Sequence, residues 1–203
     1  PPVAKTVCGL RLNAAPASSS HRTPFTPHDL PPYAFNGTRA DVQAIAFAYI
    51  RSPDQDAAQP VHHPIVVVGA GPAGLSLAID LAQRGQPVVV LDNDHRLSIG
   101  SRALCFSKRA LEIWDRLGVG QRMVDKGVSW NLGKVFFHDE QVYQFDLLPE
   151  AGHERPAFIN LQQYYAEAYL VERALQLPNI ELRWDNRVSA VEARDDGALL
   201  TID

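Results

Sequence analysis

Residues 65–74 read Ile65-Val66-Val67-Val68-Gly69-Ala70-Gly71-Pro72-Ala73-Gly74, and this stretch decides the fold. Four β-branched residues with no polar alternation are the pattern of a strand covered on both faces. Three glycines follow with the spacing G-x-G-x-x-G. Gly69 permits a tight turn off the strand. Gly71, lacking a Cβ, lets backbone come close to a diphosphate. Gly74 lets the next helix pack against the strand. Pro72 suits a first helical position, where no amide bond is lost. Leu75, Ala78, Leu81 and Ala82 make one apolar stripe, and Gly85 supplies a stop, so a helix is expected from about Pro72 to Arg84. Pro87-Val88-Val89-Val90-Leu91 reads as a second buried strand ending at Asp92.

Asp92 stands about 20 residues past the first glycine, the spacing at which a carboxylate accepts the two hydroxyls of an adenosine ribose. A 2′-phosphate would be repelled there, which disfavours NADP in this site. The amino end of the helix offers unpaired amides and a partial positive charge to a diphosphate. The competing reading is a tight strand-to-helix turn with no ligand. It leaves unexplained why three glycines and an acid occur together at this spacing. The fingerprint leaves FAD and NAD both open.

Working outward, a loop (93–106) leads to a helix from about Ser107 to Leu117 closed by Gly118, and a shorter helix at 121–126. Lys134–Phe137 and Val142–Phe145 flank a polar turn and read as an antiparallel hairpin. Asn160 is expected to cap a helix running to about Leu177. Ile180, Leu182 and Trp184 alternate with Glu181 and Arg183, the pattern of a half-buried strand. Two further strands, Val188–Ala193 and Ala198–Ile202, flank the turn Asp195-Asp196-Gly197. This order departs from the strand–helix alternation of a plain NAD dehydrogenase.

Residues 1–60 differ in character. They hold many of the 15 prolines, the run Ser18-Ser19-Ser20 and the pair Pro31-Pro32. One apolar patch, Val42 to Ile50, is expected to be helical, and 52–60 reads as linker. The first acid is Asp29, after Lys5, Arg11 and Arg22. A transit peptide has this composition, but an irregular leader is the simpler expectation. A first residue of Pro, and a strand only just begun at Ala198, predict a piece of something longer.

The 203 residues are 46% hydrophobic and 21% charged, ordinary for a globular chain of one domain with the start of a second. A net charge of −4 argues against a general nucleic-acid or anionic-membrane binder. No run of about 18 apolar residues predicts a membrane span. Two cysteines in unlike contexts, Cys8 and Cys105, fit a reducing, cytoplasmic compartment and no disulfide framework. The pair His62-His63 has no third ligand at metal spacing and reads as exposed linker, so no metal is expected. Trp114, Tyr164, Tyr165 and Tyr169 read as core, and Cys105 as packing.

Taken together, Ile65 to Asp92, Gly100-Ser101-Arg102-Ala103, Leu111 to Gly118, and Leu161-Gln162-Gln163 to Ala174 resemble the FAD-dependent aromatic hydroxylases. These are single-component flavoprotein monooxygenases, and the likeness runs toward phenol hydroxylase and hydroxyphenylpropionate hydroxylase. It spans roughly Pro64 to Asp203. The resemblance implies an α/β fold: a Rossmann-like FAD/NAD(P)-binding domain with a βαβ unit, a parallel sheet and a β-meander. Residues 61–203 would be its amino-terminal part, and 128–158 the first piece of a substrate domain. FAD would lie on Gly69, Gly71, Pro72, Ala73, Gly74 and Asp92.

Within that family an arginine soon after the second strand reaches the FAD. Arg102 matches it, with Arg96 as rival. A glutamine at a helix start, four residues before a glutamate, contacts the cofactor, and Gln163 with Glu167 fits. Alternatively, Gln163 serves as partner in a capping box with Asn160. Ala166 departs from the family's usual leucine. The implied activity is hydroxylation of a phenolic small molecule with NAD(P)H and O2, through a flavin C4a-hydroperoxide kept from water. A second flavin motif and the substrate-facing residues would lie past Asp203, so no catalytic acid or base is assigned and oligomeric state stays open. Other FAD-dependent oxidoreductases (a halogenase, a cyclase, a reductase) and a non-catalytic nucleotide-binding fragment remain the alternatives.

Overall fold

The structure, a computed structural model, describes residues 4–8 (backbone only), 38–43, 45–98 and 102–203. The Ser18–Ser20 run, Pro31-Pro32, and Gly100 and Ser101 of the loop match lie outside the described residues. In chain order the elements begin with β1 (Ala4–Cys8), α1 (Arg39–Gln43), a 3-10 turn (Pro53–Asp56), β2 (Val61–His63), β3 (Val66–Val68), α2 (Pro72–Gln83) and β4 (Val88–Leu91). Then come β5 (Cys105–Ser107), α3 (Lys108–Leu117), α4 (Gly120–Lys126), β6 (Val128–Trp130), β7 (Leu132–Phe137) and β8 (Glu140–Asp146). β9 (Phe158–Asn160), α5 (Gln163–Leu175), β10 (Ile180–Arg183), β11 (Val188–Arg194) and β12 (Gly197–Ile202) complete the order.

The centre is a parallel sheet of order β10-β4-β3, with Val66 opposite Val89 and Ile180 opposite Val88. All four residues of β4 are buried, which is why its sequence shows no alternation: both sides are covered. On one side α2 lays Leu75, Ala78, Ile79 and Ala82 against the sheet and packs on α5. Leu75 and Ile79 are fully buried, each contributing about 1.5–3 kcal/mol by leaving water. On the other side, Val89 and Leu91 meet Leu200 and Ile202 of β12. The β11–β12 meander therefore forms the opposite layer.

α3 ends as its sequence suggests. Gly118 adopts φ +88, and its amide closes onto the carbonyls of Trp114 and Asp115. Trp114 packs edge-on to Phe106 at 5.0 Å and donates from Nε1 to Ser76 Oγ of α2 at 3.0 Å. Tyr164, Tyr165 and Tyr169 are buried in the same core.

Several expectations are corrected. Asn160 is not a helix cap. It ends β9, where its Oδ1 accepts from Trp130 Nε1 and Cys105 Sγ. The cap position belongs to Gln162, whose side chain makes no capping bond, so Gln163 is the first helical residue and no box forms. Arg183, expected on a wet face, is only 6% exposed. His63 is likewise 6% exposed, not an exposed linker residue. Asp54 joins them: its Oδ2 accepts from Arg183 Nη1 at 2.6 Å and lies 2.6 Å from His63 Nε2.

The leader is less irregular than its composition suggests. β1 pairs antiparallel with β12 and parallel with β2. The helix over the apolar patch sits earlier than expected, at 39–43, and 45–52 carry no helix, only the bridge at Ala46. Val42, Ile45 and Phe47 enter the main core. The hairpin β7–β8 is longer than expected and leaves Val135, Phe136, Phe137, Val142 and Tyr143 exposed.

Candidate nucleotide-binding site

The glycine turn links the carboxyl end of β3 to the amino end of α2. Gly69 has φ +101, a conformation other residues rarely adopt, and its amide donates to Leu91 O at 2.7 Å. Gly74 is small for a different reason. A Cβ there would stand 2.0 Å from Gly69 O and 3.2 Å from Val67 Cγ1. Gly71 is the exception. Its φ of −76° suits any residue, and among the described residues a Cβ built on it meets nothing within 4 Å. Apart from its place as the helix cap, which suits glycine mildly, no backbone sign and no contact among the described residues requires glycine here. A group lying close over the turn does, so these residues fit a diphosphate.

In the first turn of α2, Ala73 and Gly74 present amides that have no preceding helical carbonyl to bond. No side chain caps this end, and no acid lies in the first turn. The end therefore keeps its partial positive charge for an anion. Pro72 occupies the first helical position, where its missing amide costs nothing.

Asp92 lies at the end of β4, beside the turn. Its Oδ2 accepts the Ala70 amide at 2.5 Å and its Oδ1 the Asp94 amide at 2.8 Å. A carboxylate has about four acceptor positions, so both oxygens retain capacity for ribose hydroxyls. A cavity of about 230 Å³ opens here, lined by Val68, Gly69, Leu91, Asp92, Asn93, Asn186, Arg187 and Val188. It lies at the carboxyl ends of parallel strands, where open α/β sheets take their ligands.

Sequence reasoning missed the far wall, Asn186–Val188. Its only signal is position, immediately past a strand parallel to β4. The wall is fastened to the near side by the Asn186 amide on Asp92 O at 2.7 Å and the Asp185 amide on Asp94 O at 3.2 Å. Asp185 has φ +56. His95 Nδ1 sits 3.0 Å from Asp185 Oδ1, and Arg96 Nε donates to His95 Nε2 at 3.2 Å.

The remaining expected residues stand apart from this cavity's lining. Arg102 is exposed, at the far end of the loop that leaves Asp92. Arg96 lies nearer, tied by backbone bridge to Ala46. Gln163, at the start of α5, donates from Nε2 to Glu167 Oε1 at 2.6 Å. Glu167 is 5% exposed, and its other oxygen accepts the Ser98 amide at 2.7 Å. This pair anchors the loop that runs toward Arg102. Its spacing was legible; its role as an anchor was not, because Ser98 is 69 residues away. Cys105 is exposed rather than packed, and bonds Asn160.

Comparison with known proteins agrees with this geometry. The family model described as "FAD binding domain" matches residues 62–201. The para-nitrophenol 4-monooxygenase of a Pseudomonas species is 29% identical over 68% of this chain and 34% of its own length. A probable NADH-specific resorcinol 4-hydroxylase of Rhodococcus jostii is 31% identical over 67% of this chain and 26% of its own. The crystal structure of p-nitrophenol 4-monooxygenase from Pseudomonas putida superposes with a TM-score of 0.62 at 28% identity, over 68% of this chain and 36% of that one. Hydroxyphenylpropionate hydroxylases of mycobacteria also match. The chain thus spans about a third or less of the relatives' length. On the family match, which covers more than half of its residues, the chain belongs to the FAD binding domain family.

Proposed function

We propose that the chain is the cofactor-binding part of a cytoplasmic FAD-dependent monooxygenase that hydroxylates a phenolic small molecule with NAD(P)H and O2. The observation that carries this reading is the open face over Gly71, beside Asp92, within an FAD-binding domain. The names of the relatives support a phenolic substrate and a nicotinamide reductant.

In this reading Gly69, Gly71, Pro72, Ala73 and Gly74 form the diphosphate cradle, with the amides of Ala73 and Gly74 aimed at its oxygens. Asp92 accepts the ribose hydroxyls while it holds the Ala70 amide. Arg102 and Gln163 serve the flavin side, Arg102 as a permanent positive charge and Gln163 held in place by Glu167. When bound, FAD supplies hydride acceptance from NAD(P)H and activation of oxygen. The hairpin β7–β8 begins the substrate domain, which accounts for its exposed Phe136 and Phe137.

The test is uptake of FAD by the purified whole enzyme of which this chain is the cofactor-binding part, followed by NAD(P)H oxidation and oxygen uptake with a panel of phenols. Uptake of FAD with phenol-dependent oxygen consumption supports the proposal. A protein that takes up no flavin overturns it.

A further inference from the structure

The cavity beside Asp92 has two walls, and a stretch of chain outside the family-matched residues holds both. The near wall is the end of β4, with Asp92 and Asn93; the far wall is Asn186–Val188. Residues 45–56 precede the family match, which begins at 62. From this stretch the Phe47 amide donates to His95 O at 2.7 Å, and Ala46 forms an antiparallel bridge with Arg96. These contacts fasten the loop that leaves Asp92. The Phe47 ring stacks on Trp184, centroids 4.2 Å apart and planes 12° from parallel. Trp184 stands two residues before Asn186. Further along the same stretch, Asp54 takes the Arg183 guanidinium. Phe47 and Trp184 are each 8% exposed.

We propose that residues 45–56 are a brace for the nucleotide cavity, and that Phe47 is a positioning residue setting the gap between the Asp92 loop and the Asn186–Val188 wall. The proposal rests on the FAD reading above and concerns the adenosine half of that ligand. Phe47 joins two segments that otherwise meet through the amides of Asp185 and Asn186 and the His95–Asp185 contact. Asp185 is held at a left-handed φ between them, a conformation that persists only where its surroundings enforce it. Without the Phe47 ring, Trp184 loses its stacked partner, and the Phe47 backbone that holds the His95 carbonyl is no longer fixed against the far wall. Ligand binding must then order both walls, and affinity falls by the fraction of molecules whose walls are already set.

A buried phenylalanine also stabilises the fold, so the test separates the two effects. In the full chain, Phe47→Ala, Phe47→Leu and Phe47→Tyr are compared with Met123→Ala. Met123 is fully buried in α4 and does not line the cavity. Dissociation constants for FAD, by flavin fluorescence, and for ADP, by competition, are measured well below each variant's melting temperature. Phe47→Ala and Phe47→Leu are expected to weaken both ligands about tenfold, with Phe47→Tyr restoring both to within about twofold. Met123→Ala is expected to lower the melting temperature and leave both constants within about twofold of wild type. Phe47→Leu binding as wild type, or Met123→Ala weakening both ligands equally, overturns the brace. A wild-type chain that binds neither FAD nor ADP overturns the cofactor reading itself. Binding of ADP but not FAD by wild type would confine the failure to the flavin half and leave the brace to be judged on ADP.

Discussion

Replacing Gly71 and Gly74 by alanine, one at a time, separates what the fold needs from what a ligand needs. At Gly74 the added Cβ falls 2.0 Å from a backbone oxygen, Gly69 O, with Val67 Cγ1 at 3.2 Å behind it. No side-chain rotation relieves a clash with backbone. The cost is therefore expected at the upper end of overpacking, about 3 kcal/mol, which lowers the melting temperature of a chain this size by about 6–12 °C. At Gly71 the Cβ enters open space and φ is already −76°. Stiffening the unfolded chain contributes about 0.4–1 kcal/mol, and loss of a good cap residue offsets a similar amount. The melting temperature without FAD is expected to move by less than about 3 °C. Binding behaves oppositely. A methyl over the turn pushes the diphosphate off the Ala73 and Gly74 amides. Losing one such charge-assisted bond, at about 1.5–3 kcal/mol, raises the FAD dissociation constant about 10- to 100-fold. The assays are thermal unfolding without ligand and FAD titration of folded protein. Wild-type FAD affinity in Gly71→Ala, or a fall in its melting temperature matching Gly74→Ala, would refute the reasoning.

Asp92→Ala removes the acceptor of the Ala70 and Asp94 amides and should cost about 1–3 kcal/mol of stability along with FAD affinity; melts and titration read both, and intact FAD affinity would count against the ribose role. Burial pushes the Asp54 carboxyl up, but hydrogen bonds from Arg183 and His63 and their charges outweigh it and hold the group below its ordinary value. A depressed carboxyl stabilises the fold at pH above its unfolded value, about 3.9, and loses that contribution as pH falls through the folded value. The stability difference between wild type and Asp54→Asn, followed by denaturant unfolding against pH, is thus expected to shrink in acid as pH falls through the folded value. Trp114→Phe drops the bond to Ser76, near 1 kcal/mol, and also leaves core space where the larger indole stood, so a melt should fall by more than the bond's about 2–4 °C.

How far the fold was legible follows from where each element's information lies. β3, α2 and β4 are written locally, in an unbroken β-branched run, a glycine set by backbone sign and one apolar stripe. β5, β6 and β9 are three residues each and exist because they pair with one another; Trp130 opposite Phe158 has no local signature. Asn160 has the side chain of a cap, yet its oxygen is claimed by Trp130 from 30 residues away. The leader misled for the same reason. Among the described residues its buried side chains are few and spaced without period, and their partners, His95, Trp184 and Arg183, lie far along the chain. Asp54 and Arg183 are separated by 129 positions. Alternation placed Arg183 on the wet face because β10 contains only one of its two carboxylates, Glu181 at 2.9 Å; the other, Asp54, comes from outside the strand.

The acid at the end of β4 bears on the ligand argument differently once its contacts are known. From spacing alone, an aspartate beyond a glycine turn has no purpose except to hold a sugar. The structure gives it another: Asp92 Oδ2 holds the Ala70 amide and ties β4 to the turn before any ligand arrives. Gly69 is required by its φ, and Gly74 by the packing of α2 on the turn. Three of the four fingerprint residues therefore have work to do in an empty strand-to-helix turn, and their joint occurrence discriminates less than it first suggests. Gly71 alone has neither a backbone sign nor a packing contact to account for it. The case for a diphosphate in this particular chain thus narrows to one missing Cβ, and a single substitution at that residue is a sharper test than the loss of the acid.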